Sequence, residues 1–78
     1  MTRREIKDVI CEELSLERGS LDGKEDKKFS EIGIDSLDIT ESYLSIEEKF
    51  KIDLNLRISD IKTLNVLFTL LEKHGLED

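Results

Sequence analysis

Apolar residues at Ile6, Val9, Ile10 and Leu14 recur at three- and four-residue intervals, the spacing that stacks side chains on one face of an α-helix. Thr2, with Glu5 three positions later, has the form of a capping box, so a first helix is expected directly after Thr2. Cys11 falls off the stripe and is expected to be partly exposed. The rhythm breaks at Ser15. The stretch "SLERGSLDGKEDKKFSEIGID", residues 15 to 35, holds three of the four glycines and many charges. It reads as a long loop, and loops of this length in small domains are uncommon unless functional or locally packed. Leu16, Leu21, Phe29, Ile32 and Ile34 are expected to pin it to a core.

Helical spacing returns in "SLDITESYLSIEEKFK". A second helix is expected from about Leu37 to Lys51, with Ser36 as its cap. At 100° per residue, Ile39, Tyr43, Ile46 and Phe50 fall within about 60° of one another and form a core face. Leu37 and Leu44 lie on the other side, about 130–150° from the centre of that face. Their neighbours there are Glu41 and Glu48, with Thr40 and Glu47 towards one edge. Small apolar anchors inside an acidic rim have the form of a docking surface, although scattered exposed leucines are also ordinary. "IDLNLRI" alternates like a strand but has no partner strand in the chain. It is expected to be an extended connector with a short helical turn near Ser59 to Ile61. A last helix is expected to start after Thr63, to bury Leu64, Leu67, Phe68 and Leu71, and to stop at Gly75, with His74 complementing its dipole.

Length and composition narrow the class. The 78 residues suffice for one small domain, taken as residues 1–78. A single cysteine permits no internal disulfide, and a single histidine leaves no zinc site of the usual Cys/His kind. "DGKED" lacks the ligand spacing and closing glutamate of a calcium loop, and no metal is expected. Forty per cent of residues are charged and the net charge is −7. That balance opposes nucleic acid and favours partners with basic surfaces. "MTRREIKDVI" meets Asp8 before any signal-peptide core forms, and no apolar run reaches membrane-spanning length. A cytoplasmic monomer without membrane insertion is expected.

Ser36 is the residue that needs a chemical account. Nucleophilic catalysis requires an adjacent base and oxyanion donors. Only His74 is a conventional base, and no Gly-x-Ser-x-Gly elbow is present. No catalytic residue is therefore expected. Serine is a good helix cap, and a helix start also favours an attached phosphate through its dipole and free N–H groups.

"FSEIGIDSLDITESYLSIEEKF", Phe29 to Phe50, resembles the modification site and second helix of acyl carrier proteins: Phe-x-x-aliphatic-Gly-x-Asp-Ser-Leu, then Asp, Glu and a Glu-Glu-x-Phe ending. The helix order extends the resemblance over nearly the whole chain. The resemblance implies an all-α fold, a small four-helix bundle with a long loop between helices 1 and 2 and a short third helix. It implies that Ser36 carries 4′-phosphopantetheine from coenzyme A, with Asp35 and Gly33 completing the site. A separate holo-carrier synthase (a phosphopantetheinyl transferase) would attach it, and its thiol would hold acyl groups as thioesters. Leu37, Asp38, Glu41, Leu44, Glu47 and Glu48 match the helix that basic acyl-transferring and chain-elongating enzymes recognise. Ile39, Ser42, Tyr43, Ile46, Ile61, Leu67 and Phe68 would border an acyl cleft.

The match has departures. "IDLNLRISDI" stands where fatty-acid members usually have an Ile-Pro-Asp-Glu-Glu-like stretch, and Ser42 and Tyr43 stand where aliphatic residues are usual. These features suggest a discrete carrier of specialised use in fatty-acid, polyketide or related acyl biosynthesis. Two alternatives stay open. One is an aminoacyl or peptidyl carrier, although "GIDS" differs from the Gly-Gly-x-Ser commoner there. The other is an unmodified acidic docking adaptor.

Overall fold

The computed structural model describes residues 1–54 and 61–77. Helix α1 spans Arg3–Glu13 and opens with the expected reciprocal cap. The Glu5 N–H donates to Thr2 Oγ1 at 3.1 Å and the Thr2 N–H to Glu5 Oε1 at 3.0 Å, so two N-terminal donors are satisfied inside one turn. Its apolar stripe of Ile6, Val9 and Ile10 is buried against α2, the helix Ser36–Phe50.

Cys11 corrects the sequence expectation, because it is only 3% exposed. The chain turns back over that flank of α1: the Leu16 N–H donates to the Cys11 carbonyl at 2.8 Å, and Arg18 pairs with Asp8 at 3.2 Å. A helical wheel cannot register a cover supplied by the following loop. Leu16 itself is 40% exposed and does not pin the loop. Leu21, Phe29 and Ile34 do, and Ile32 packs on the core while half-buried.

Charge and backbone bonds complete the anchoring of residues 15–35. Asp22 receives Arg4 at 2.9 Å and Lys7 at 3.0 Å, and Lys7 also reaches Glu25 at 2.9 Å. Further along, Phe29–Ile32 forms a 3-10 turn that ends at Gly33 in the left-handed region, φ 78°. A side chain there would be strained, so glycine suits the corner that leads into α2.

Helix α3, Leu64–Leu71, is capped by Thr63, whose Oγ1 accepts from the Val66 N–H at 3.2 Å. Leu64, Leu67, Phe68 and Leu71 are buried as expected. The regular α-helix ends at Leu71, and the chain continues as a 3-10 turn over Glu72–His74 before Gly75, φ 97°. The Glu77 N–H then donates to the Met1 carbonyl at 2.8 Å and joins the two ends. The described residues thus contain three α-helices and no strand, with one isolated bridge between Thr2 and Glu77. The turn expected near Ser59, and with it the short third helix of a four-helix bundle, lies outside the described residues. Ile61, where description resumes, is buried.

Candidate functional site

The start of α2 is built by Asp35, not Ser36. Asp35 has extended backbone, φ −92° and ψ 178°, and its Oδ1 accepts from the Asp38 N–H at 2.8 Å. The Asp38 side chain returns to the Asp35 N–H at 3.3 Å. The sequence expectation placed the cap one residue late. Serine and aspartate cap about equally well, so propensity alone does not choose between them. The displacement has a chemical consequence. Ser36 becomes the first helical residue, exposed, and its hydroxyl makes no hydrogen bond among the described residues; only its carbonyl is engaged, by Thr40 Oγ1 at 2.8 Å.

Ser36 opens onto a groove of about 390 Å³. Its floor is apolar, from Phe29, Ile34, Ile39 and Ile61, and its rim carries Lys28, Ser30, Asp35 and Lys62. The Phe29 N–H donates to the Lys62 carbonyl at 2.8 Å, and this bond brings two segments distant in sequence to one edge. Sequence reasoning missed both lysines.

On the outer face of α2, Leu37 and Leu44 are 64% and 60% exposed, with Glu41 and Glu48 exposed beside them. Asp38 and Glu47 are half-buried and already engaged. Asp38 belongs to the cap, and Glu47 Oε2 accepts from the Leu54 N–H at 2.9 Å. The acidic face therefore divides into two free carboxylates and two with structural work.

On the inner face, Ile39, Ser42 and Tyr43 meet Ile10, Phe29 and Ile34 around a cavity of about 10 Å³. That is roughly room for one water. Ile46, Leu67 and Phe68 are buried in the core but do not line this cavity, and Ile61 lines the groove instead. Ser42 Oγ donates to the Asp38 carbonyl at 2.9 Å, so its polar atom is satisfied along the helix. Tyr43 is 7% exposed, and its buried hydroxyl has no partner among the described residues. Burial pushes that hydroxyl well above its ordinary pKa.

The family described as a phosphopantetheine attachment site matches residues 4–71. This chain belongs to the acyl carrier protein family. It is 35% identical over 82 aligned positions to an acyl carrier protein of Cyanophora paradoxa, covering 92% of this chain and 75% of that one. Acyl carrier proteins of Sulfurovum sp. (strain NBC37-1) and Campylobacter fetus subsp. fetus are 41% and 38% identical over 51 and 50 residues. Those alignments cover 64% of this chain and 65% and 64% of the relatives. No solved structure matches the chain significantly. As a carrier of this family it bears covalently attached 4′-phosphopantetheine. The residues fit that group: an exposed serine hydroxyl left free by its neighbour's cap stands at the mouth of a groove with cations on its rim. Among the described residues no helix is long and apolar enough to cross a membrane.

Proposed function

We propose that Ser36 is the attachment residue and that the protein presents acyl groups to partner enzymes. The observation that carries this reading is the cap shift: Asp35 holds the helix start, so the Ser36 hydroxyl has no structural duty. The thiol at the end of 4′-phosphopantetheine supplies the chemistry, holding acyl groups as thioesters. The chain's own residues do the rest. Asp35 and Gly33 shape the turn that presents Ser36, and Leu37, Glu41, Leu44 and Glu48 offer a small apolar and acidic surface to basic partners. Asp38 and Glu47 contribute charge to that surface while they hold the backbone. The reading makes the protein a non-catalytic carrier loaded by a separate transferase in a cytoplasmic setting. Incubation with coenzyme A, magnesium and a phosphopantetheinyl transferase should add one phosphopantetheinyl group, and Ser36→Ala should add none. Because Ser36 is exposed and is not the cap, Ser36→Ala should stay within about 0.5 kcal/mol of the parent in stability. Modification of the alanine variant would defeat the assignment.

The inner face also supports a reading of cargo. A saturated chain entering beside Tyr43 leaves the buried hydroxyl unpaired, whereas an oxygen on the chain gives it an acceptor. An unpaired buried hydroxyl costs about 1–3 kcal/mol. With a cavity of about 10 Å³, a long chain must also part the core. Short or oxygenated cargo is therefore sheltered better than long saturated cargo, which agrees with a specialised carrier. Melting temperatures of the butyryl, 3-hydroxybutyryl and dodecanoyl forms compare the cases. A dodecanoyl form that is clearly the most stable contradicts this reading.

A further inference from the structure

The proposed docking role of the acidic face leaves two cations on the groove beside Ser36 without an account. Lys28 and Lys62 are both exposed, and neither ammonium group has an ion pair or hydrogen bond among the described residues. In a chain of net charge −7, the two lysines outnumber the single carboxylate, Asp35, on the edge of this groove. The Phe29–Lys62 backbone bond of 2.8 Å fixes their segments side by side. Ser36 lines the same groove, and the floor beneath is apolar.

We propose that this groove is the resting site of the phosphate and pantoyl segment of the arm, with Lys28 and Lys62 as positioning residues that hold the phosphodiester. The occupant follows from continuity and charge. A group esterified to Ser36 starts inside the groove. Its first element is a phosphodiester anion, which the lysine rim attracts. Its second is a carbon bearing two methyl groups, which suits the floor of Phe29, Ile34 and Ile61. The acidic face, in contrast, repels the phosphate. The lysines therefore bias the arm away from the docking surface while no partner is bound, and a basic partner that attracts the phosphate competes with them. Both contacts are solvent-exposed, so the bias is weak and sensitive to salt.

The inference rests on Ser36 being the attachment residue, and one experiment separates the two ideas. Protein labelled with ¹³C and ¹⁵N is converted with unlabelled coenzyme A, and intact mass records whether one group was added. Isotope-filtered NOEs are then measured from the pantoyl methyl groups to the Ile34 and Ile61 methyls and the Phe29 ring. These NOEs should be present at low salt, and several-fold weaker in K28Q/K62Q and in the parent at raised salt. An unchanged mass overturns the Ser36 reading and this inference with it. Added mass without NOEs leaves the Ser36 reading standing and overturns the groove. NOEs of equal strength in the parent and the double variant overturn the role of the lysines. Should the double variant misfold, as its ¹H–¹⁵N spectrum would reveal, the salt dependence of the parent's NOEs decides.

Discussion

A hydroxyl carried into the core without a partner is a cost, and Tyr43 carries one. Removing it while keeping the ring should relieve that cost. Tyr43→Phe is expected to stabilise the apo protein by about 1 kcal/mol, within the range for unpaired buried hydroxyls. In a domain of this size that is about 4–8 °C in melting temperature. Alkaline pH gives a second readout. Burial raises the folded pKa of Tyr43 above its ordinary value, so its contribution is fully present below about pH 10, where the unfolded chain ionises, and is lost as pH rises further. Urea midpoints of Tyr43→Phe should therefore fall less than the parent's above that pH. An equal fall would place the hydroxyl in contact with solvent. Ser42 needs no such relief, because the Asp38 carbonyl already accepts its hydrogen.

Along α2, neighbouring carboxylates have different duties, and variants should separate them. Glu41 and Glu48 are exposed, so reversal of either to lysine should weaken docking of the transferase with little change in melting temperature. Raised salt should weaken docking of the parent as well, since it screens exposed charge. Glu47 differs because it holds the Leu54 N–H. Glu47→Ala should cost about 1 kcal/mol of stability through that charge-assisted bond, where Glu48→Ala costs almost nothing. Leu44→Ala tests the orientation of the helix. At 60% exposure, its loss should lower affinity for a partner and leave thermal unfolding unchanged. A large loss of stability would mean that the helix faces the other way.

At the scale of the molecule, the long loop is held to α1 by an ionic cluster at its middle. Hydrogen bonds from Arg4 and then Lys7 draw the Asp22 carboxyl down to about 2, and a hydrogen bond from Lys7 lowers Glu25 as well. The folded pKa of Asp22 lies below its unfolded value, so the stabilisation is present above about pH 4 and is lost as pH falls towards 2. Asp22→Asn should reduce the stability at neutral pH modestly, because the pair is exposed and screened. It should also flatten the decline between those two pH values, read as urea midpoints against pH. A slope identical to the parent's would remove Asp22 from the acid response.

What the chain determined locally was legible from its residues. The α1 cap needs only Thr2 and Glu5 three positions apart, and the core faces of α2 and α3 follow from the pitch of a helix. The exposure of Leu37 and Leu44 followed from the same wheel. The family signature around Ser36 was legible too, because Gly33, Asp35 and Ser36 lie within four residues, and the family match over residues 4–71 includes them. Contacts between distant segments were not. Cys11 is buried because the loop after α1 folds over it, and Leu16 stays exposed in that same loop. Asp35 takes the cap, a choice between two good cappers that propensity leaves even. Lys28 and Lys62 share a groove through one backbone bond across a long separation in sequence. Local spacing sets which way a side chain leaves its own helix; only the closed fold decides what stands there to meet it.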